Sequence, residues 1–333
     1  MRLGAAIVLV MSVGCGREPV FRVDLPPVGV GDVRPVEVVA QVDRTTQVTI
    51  PQVDVLFVVD NSCSMEEEQA LLAENFPAFL RWFLESELDY HIGVVSTDMQ
   101  DPLQAGRLQK SIAGDKWIEP ETAAPEAAFA QMVALGVEGS GREEGRAAAF
   151  TAIEVLAQTE NAGFIREGAG LHLTVVSDED DASTDSPISR AEFVDYLQNV
   201  RFGRGKVSFS SIVGPVTGCA DIGTPGTDYL AVTNQVGGVT WPICEPEWTQ
   251  VLDELGFIAV GLSKEFFLSQ RPVPETIEVS VEQDGTVQPF TSSEWTYNAP
   301  RNSITFVDYL PAELAVVEIR YDVLASAPAT ERD

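Results

Sequence analysis

One acid and two hydroxyl residues alternate on a short segment early in the chain. Asp60, Ser62 and Ser64 come directly after the apolar run 55–59, which is typical of a strand buried on both faces. Three oxygen-bearing side chains on one loop are donors that a hard divalent cation prefers. The spacing therefore predicts a cation site at the end of this strand, held by one carboxylate and two uncharged hydroxyls.

The elements that position this loop alternate between strands and helices. Strands are predicted at 55–59, 90–95, 171–176 and 207–213, and helices at 66–84, 145–157, 189–200 and 248–262. Strands separated by helices imply an α/β fold with a doubly wound, mainly parallel sheet. Ligands of such sheets lie beyond the carboxyl ends of the strands. Asp178, which follows the strand at 171–176, is therefore expected on the same edge as Asp60.

The Asp-x-Ser-x-Ser pattern after a buried strand resembles the metal-ion-dependent adhesion site (MIDAS) of von Willebrand factor A domains. The resemblance covers about 53–262 and is strongest at 54–65 and 171–181. It implies one bound divalent cation, Mg²⁺ or alternatively Ca²⁺ or Mn²⁺. It also implies that two further loops contribute, one with a Thr before a helix and one with an Asp after a later strand.

Ser140 and Asp178 are the candidates for these two positions. Ser140 precedes the helix predicted at 145–157 and stands where the family has Thr, although 135–141 could also be a loop that only turns the chain. The resemblance implies few direct carboxylate bonds to the cation, so that a carboxylate of a protein partner completes its coordination. Asp98 is a candidate for an outer position at the same edge.

Three more acids, Glu179, Asp180 and Asp181, follow Asp178 directly. They could form a second cation site, but a solvated acidic loop is the favoured interpretation. The whole chain has 51 Asp and Glu against 21 Lys and Arg, a formal net charge of -30. This charge argues against a nucleic-acid partner and against electrostatic docking on anionic lipid.

Residues 1–15 are predicted to be an export signal. Arg2 precedes an apolar run at 3–13 that is too short to span a bilayer. Gly14-Cys15 resembles the bacterial lipobox, although Ser12 stands where Leu is usual. We therefore expect lipid on Cys15 and a lipoprotein of the outer membrane or cell surface, with a periplasm-facing body as a variant. Ordinary cleaved secretion and a chance apolar start are the alternatives.

The other cysteines are expected in an oxidising compartment. Cys219 and Cys244 flank a stretch containing Gly, Thr and Pro and are predicted to form a disulfide. Cys63 is interpreted as a small buried residue rather than a reactive thiol.

Three regions follow the signal. Residues 16–50 are predicted to be an extended, Pro-containing tether with one strand at 36–42. The resemblance implies a von Willebrand A-like domain over residues 51–265. Residues 270–326 alternate apolar and polar residues around the turn signal Asp284-Gly285, which predicts a small antiparallel β module.

Motifs of common enzymes are missing from the sequence. The two histidines, His91 and His172, lie inside predicted strands, and the chain has no His-Glu-x-x-His, Gly-x-Ser-x-Gly or phosphate-loop motif. The leading hypothesis is a protein-binding domain, not an enzyme. The alternatives are a structural or assembly component of a cell-envelope complex with a vestigial metal site, and a metal-dependent hydrolase acting through Asp60 and Asp178.

Overall fold

A computed structural model describes residues 38–48, 51–84, 88–201, 206–220, 222–307 and 309–324. The described residues between 40 and 323 belong to one compact unit. The predictions for the export signal, for Cys15 and for most of the tether lie outside the described residues. In the part of the chain that the structure describes, no helix has the length and apolarity needed to cross a membrane.

The described chain contains twelve strands, six α-helices and two short helical turns. The strands are β1 Val38–Thr46, β2 Gln52–Val59, β3 Asp89–Ser96, β4 Gly170–Ser177, β5 Val207–Val213, β6 Thr240–Pro242, β7 Glu265–Phe267, β8 Glu278–Gln283, β9 Thr286–Phe290, β10 Trp295–Asn298, β11 Ser303–Phe306 and β12 Val316–Leu324. The helices are α1 Glu66–Leu84, α2 Pro125–Val133, α3 Gly145–Phe150, α4 Arg190–Asn199, α5 Thr227–Val236 and α6 Thr249–Ala259. A π-helical turn, Thr151–Val155, continues α3, and a 3₁₀ turn, Pro274–Thr276, precedes β8.

Five parallel strands form the central sheet in the order β3-β2-β4-β5-β6. β2 sends Val55 and Phe57 into a core shared with α1, α2 and α6, whereas Leu56 and Val58 enter a second core with α3, α4 and α5. Because both faces of the sheet are covered, most positions of β2 are apolar, whereas β5 also buries three serines, Ser208, Ser210 and Ser211. The predicted α/β fold with a doubly wound, mainly parallel sheet is confirmed.

Most predicted helices are present with small differences in their bounds. Pro77 lies inside α1 and does not divide it. The helix predicted at 145–157 is shorter as an α-helix, because its second half is the π-helical turn. The sequence analysis missed α2 and α5, which are nine and ten residues long. α5 is rich in Thr, Val and Asn, which have weak helix propensity.

The C-terminal part forms two antiparallel sheets. One contains β1, β12, β8 and β9 in that order, and the other contains β10, β11 and β7. Asp284 and Gly285 both have positive φ, as the predicted hairpin turn between β8 and β9 requires. β1 corresponds to the strand predicted in the tether. The Asp43 carboxylate on β1 accepts hydrogen bonds from the Ser269 backbone N–H and the Tyr321 hydroxyl, so this part of the tether belongs to the β module.

Candidate metal centre

The carboxylate of Asp60 is fixed at the carboxyl edge of the parallel sheet. Asp60 follows β2, is fully buried, and donates its backbone N–H to the carbonyl of Val176 on β4 at 3.0 Å. Its Oδ1 accepts the N–H of Ser62 at 2.7 Å, and its Oδ2 accepts the hydroxyl of Ser177 at 2.6 Å. These bonds pin the carboxylate between β2 and β4.

The hydroxyls of Ser62 and Ser64 lie together on the same loop. Their Oγ atoms are 3.2 Å apart. Cys63 between them is exposed and is not part of a disulfide. The prediction that Cys63 is a small buried residue is therefore wrong. Met65, two residues further along the chain, is the buried apolar residue of this segment.

Asp178 lies where the sequence predicted, directly after β4. It is buried, and its Oδ1 has no hydrogen-bond partner. Its backbone carbonyl accepts the N–H groups of Gly223 and Thr224 at 3.0 and 3.2 Å. These two residues belong to the segment closed by the predicted Cys219–Cys244 disulfide, which the structure confirms. The disulfide-closed segment thus supports the backbone of Asp178.

The second predicted loop packs on the first. Gly139 donates its N–H to the Asn61 carbonyl at 2.9 Å, and a Cβ atom at Gly139 would lie 2.3 Å from Asn61 Cγ. The Ser140 backbone N–H donates to Asp98 Oδ2 at 3.2 Å, and its hydroxyl accepts the N–H of Arg142 at 3.0 Å. The structure thus brings Ser140 to the neighbourhood of the site through Asp98, and its role as a ligand stays a prediction.

Glu143 is a site residue that the sequence analysis missed. It lies just before α3, is fully buried, and accepts a short hydrogen bond from the Thr97 hydroxyl. Burial and then the charge of Asp60 raise its pKa, which couples its ionisation to that of Asp60. An available signal was the acidic pair Glu143-Glu144 directly before a helix predicted to border the site.

Two of the remaining acids of the third loop, Asp180 and Asp181, form contacts with helices. Asp181 is buried and forms a salt bridge with Arg146 on α3 at 3.0 Å. Asp180 accepts hydrogen bonds from the Thr227 hydroxyl and from the Asp228 N–H at the start of α5. Burial and then the charges of Asp178 and Asp60 raise the pKa of Glu179, the first acid of this run. Asp180 and Asp181 are therefore committed to other contacts, which argues against a second cation site there.

Mutual repulsion and burial govern the protonation of the site. Burial raises the pKa of Asp60, which the hydrogen bonds from Ser177 and Ser62 partly oppose and the charge of Asp178 reinforces. Burial and then the charge of Asp60 raise the pKa of Glu143 to about 9. Burial also raises the pKa of Glu68 at the start of α1, with further contributions from Asp178 and Asp60. No basic residue is among the main causes of these pKa shifts. An added cation would therefore stabilise the ionised forms of these acids.

The donor set consists of oxygen atoms alone. Among the described residues, no three His, Cys, Asp or Glu side chains converge closely enough to hold an ion by themselves. Hydroxyls or water must therefore complete the coordination of a cation beside Asp60 and Asp178. Such a set suits Mg²⁺, Ca²⁺ or Mn²⁺ and lacks the nitrogen and sulfur ligands typical of zinc. The unpartnered oxygen of Asp178 fits this role.

We predict that stability in chelator decreases as the pH rises. The folded state keeps a proton on Glu143 up to about pH 9, whereas the unfolded chain releases it near the ordinary pKa of about 4.3. The stability from this group is full below that lower pKa and is lost as the pH rises toward the upper one. Thermal melts in chelator should show a falling midpoint between about pH 5 and 8, with a smaller fall in Glu143→Gln. Equal pH profiles for the two proteins would contradict the prediction.

Both histidines are packed inside strands, away from this edge. His91 Nδ1 lies 2.8 Å from the Phe164 carbonyl, and His172 Nδ1 lies 2.8 Å from the Ser208 hydroxyl. Burial lowers the pKa of His172 to about 4. Neither belongs to the candidate metal centre.

No protein-family model and no curated protein matches this chain. Among solved structures, a von Willebrand factor type A protein from Catenulispora acidiphila is similar at 12% identity and a TM-score of 0.42, over 88% of this chain and 62% of that protein. The pilus adhesin SpaC from Lactobacillus rhamnosus GG, in its open conformation, is similar at 10% identity and a TM-score of 0.35, over 89% of this chain and 42% of the adhesin. Functional conclusions do not rest on similarities at this level. The fold itself, which the strand order and the two covered faces of the sheet define, is von Willebrand A-like.

Proposed function

We propose that this protein binds a protein partner through one divalent cation at the carboxyl edge of its parallel sheet. The observation that supports this function most directly is the buried pair of carboxylates, Asp60 and Asp178. Oδ1 of Asp178 has no hydrogen-bond partner, and neither acid forms a salt bridge among the described residues. Burying such charges is costly unless a counterion accompanies them. A cation is the simplest counterion for oxygen ligands of this kind.

The proposed site is a metal-ion-dependent adhesion site. Asp60, Ser62, Ser64, Asp178 and Ser140 would hold the cation directly or through water, with Mg²⁺ the first candidate and Ca²⁺ or Mn²⁺ the alternatives. When bound, the cation supplies an electrophilic position for an oxygen ligand. A carboxylate of the partner is the proposed ligand, and the sheet edge presents the loops that orient it. We propose a binding role and no catalytic one.

The proposed location is outside the cytoplasm. The Cys219–Cys244 disulfide fits an oxidising compartment. We propose that 1–15 directs export and that lipid on Cys15 anchors the protein at the outer membrane or the cell surface. The alternative function is that of an assembly component of a cell-envelope complex whose metal site is vestigial.

Calorimetric titration of the purified protein with Mg²⁺, Ca²⁺ and Mn²⁺ tests the metal site. We expect one equivalent to bind. A cation that binds only the folded state at a hundredfold excess over its Kd raises the free energy of unfolding by about 2.7 kcal/mol, which thermal melts would detect. Absence of both effects with all three cations would contradict the proposal.

Partner capture distinguishes the two functions. Immobilised protein is incubated with envelope extract in the presence of the bound cation or of chelator. Capture that requires the cation supports adhesion through the site. Capture that is equal in chelator supports the assembly component and contradicts cation-dependent binding.

A further inference from the structure

Glu143 places a carboxylate oxygen without a partner inside the protein. The residue is fully buried, its Oε2 accepts the Thr97 hydroxyl, and its Oε1 has no hydrogen-bond partner. Its backbone is held by both neighbouring loops. The Glu143 carbonyl accepts the Ala182 N–H at 2.6 Å, and the Glu144 N–H donates to the Thr97 carbonyl at 3.1 Å. The side chain is therefore positioned by the backbone and not by an ion pair.

The arginines on either side of Glu143 bind elsewhere. Arg142 donates to the Ala182 carbonyl at 3.0 Å and lies 3.4 Å from a carboxylate oxygen of Glu144. Arg146 forms a buried salt bridge with Asp181 and also donates to the carbonyl of Ile188. Neither guanidinium pairs with Glu143. A buried carboxyl group with one oxygen that has no hydrogen-bond partner is costly to keep even when it is protonated, so it needs an explanation.

Among the charged groups that act on Glu143, Asp60 has the largest effect on its pKa. Asp60 acts on Glu143 from the loop after β2, and Glu143 itself lies between the loop after β3 and the loop after β4. Asp178, on the loop after β4, and Glu68, at the start of α1, each contribute a further carboxylate oxygen without a hydrogen-bond partner. Three carboxylate oxygens without a hydrogen-bond partner, of Glu143, Asp178 and Glu68, thus belong to acids that interact electrostatically with Asp60. Of these three acids, Glu143 is the one on the second loop, where the family pattern places a ligand.

We infer that Glu143 is a direct ligand of the cation through Oε1, on the loop where the sequence pattern indicated the hydroxyl of Ser140. This inference rests on the proposed function, because it concerns the same cation. The three carboxyls do not converge as a ready-made cluster among the described residues. A metal ligand must be deprotonated, so the cation would displace the proton of Glu143 on binding. The cation is therefore expected to draw Glu143, Asp60 and Asp178 together.

The inference changes the charge of the site. A divalent cation with Asp60 and Asp178 is neutral, whereas a third carboxylate makes the site carry one net negative charge. More carboxylate ligands bind a hard cation more tightly. They also leave it less electrophilic and fill a position that water or a partner would otherwise occupy. Glu143 would thus strengthen binding of the cation and leave fewer coordination positions open to the partner.

Mn²⁺ titration of Glu143→Gln tests the inference against a matched control. Glu144→Gln is the control, because Glu144 is the adjacent buried acid and its carboxylate instead accepts a hydrogen bond from Gln100. Glu143→Gln should weaken Mn²⁺ binding by about tenfold or more, whereas Glu144→Gln should keep the wild-type affinity. Water-proton relaxation of the Mn²⁺-loaded protein should also show one more exchangeable water in Glu143→Gln than in wild type.

Two further variants separate the possible failures. Glu143→Asp keeps the charge but withdraws the oxygen by one methylene, so it should also lose affinity if the contact is direct. Wild-type affinity in Glu143→Gln or Glu143→Asp, or an unchanged number of exchangeable waters in Glu143→Gln, would overturn the inference. If Asp60→Asn loses Mn²⁺ binding in the same experiment, the proposed function survives that result. If Asp60→Asn binds Mn²⁺ as the wild type does, the proposed site itself is wrong.

Discussion

Asp60→Asn should lose cation binding while the protein remains folded in chelator. The Asp60 carboxylate is held in place by hydrogen bonds from the Ser62 N–H and the Ser177 hydroxyl, and the Asp60 backbone N–H is bonded to β4. Loss of an outer partner of a metal site typically weakens binding ten- to hundredfold, so loss of this charge should raise the Kd by about a hundredfold or more. Calorimetric titration with Mg²⁺, Ca²⁺ and Mn²⁺ gives the measurement.

The same substitution should have the opposite effect on the protein without a cation. Burial and the charge of Asp178 raise the pKa of Asp60, because the ionised form is disfavoured in the fold. Asn removes that charge at nearly constant volume, so the melting temperature in chelator should equal or exceed that of the wild type near pH 8. This combination separates loss of a ligand from misfolding.

Asp180→Asn is the control for the acidic loop. Asp180 lies two residues from Asp178, but its carboxylate is bound by Thr227 and the Asp228 N–H. We expect wild-type cation affinity in this variant together with a small loss of stability at the start of α5. If Asp180→Asn reduced cation affinity as strongly as Asp60→Asn, general acidity of the loop rather than specific ligation would explain the binding.

The positions of Asp60, Ser62, Ser64 and Asp178 could be predicted because strand ends are visible in the sequence. An apolar run that ends in an acid marks the carboxyl end of a buried strand, and the parallel sheet brings such ends to one edge. Glu143 could not be predicted in the same way. Its burial depends on backbone hydrogen bonds to Thr97 and Ala182, which come from two distant loops and leave no periodic signal in the chain.

The differences in the fold have related causes. The central strands were predicted well because burial on both faces makes them mostly apolar. α5 was missed because its weak helix formers are stabilised by tertiary contacts, with Tyr229 and Val232 buried in the core beneath it. β1 was assigned to a tether because its pairing partner, β12, lies more than 250 residues away in the sequence. Contacts over such separations cannot be read from local pattern.

A second network lies at the opposite end of the sheet and concerns stability. Asp54 on β2 is fully buried, and both of its carboxylate oxygens are bound by Arg166. Oδ2 accepts the Arg166 backbone N–H at 2.7 Å, and Oδ1 accepts Nε at 2.8 Å. Arg166 also donates to the Val53 carbonyl at 2.8 Å and pairs with Asp89. One guanidinium thereby joins β2, β3 and the loop that leads into β4.

Arg166→Met should destabilise the protein strongly without affecting the cation site. Burial already raises the pKa of Asp54 in spite of Arg166, and removal of the guanidinium would leave a buried carboxylate without its counterion. Breaking a buried pair in this way costs about 3–5 kcal/mol, measurable as a loss in the free energy of unfolding by denaturant titration. Arg190→Met, which breaks the exposed pair with Asp228, should cost less than about 1 kcal/mol. Adding Asp54→Leu to Arg166→Met should restore part of the lost stability, because the buried carboxylate without a counterion is then removed. If the double variant were less stable than Arg166→Met alone, the loss of stability would have to come from the other contacts of Arg166.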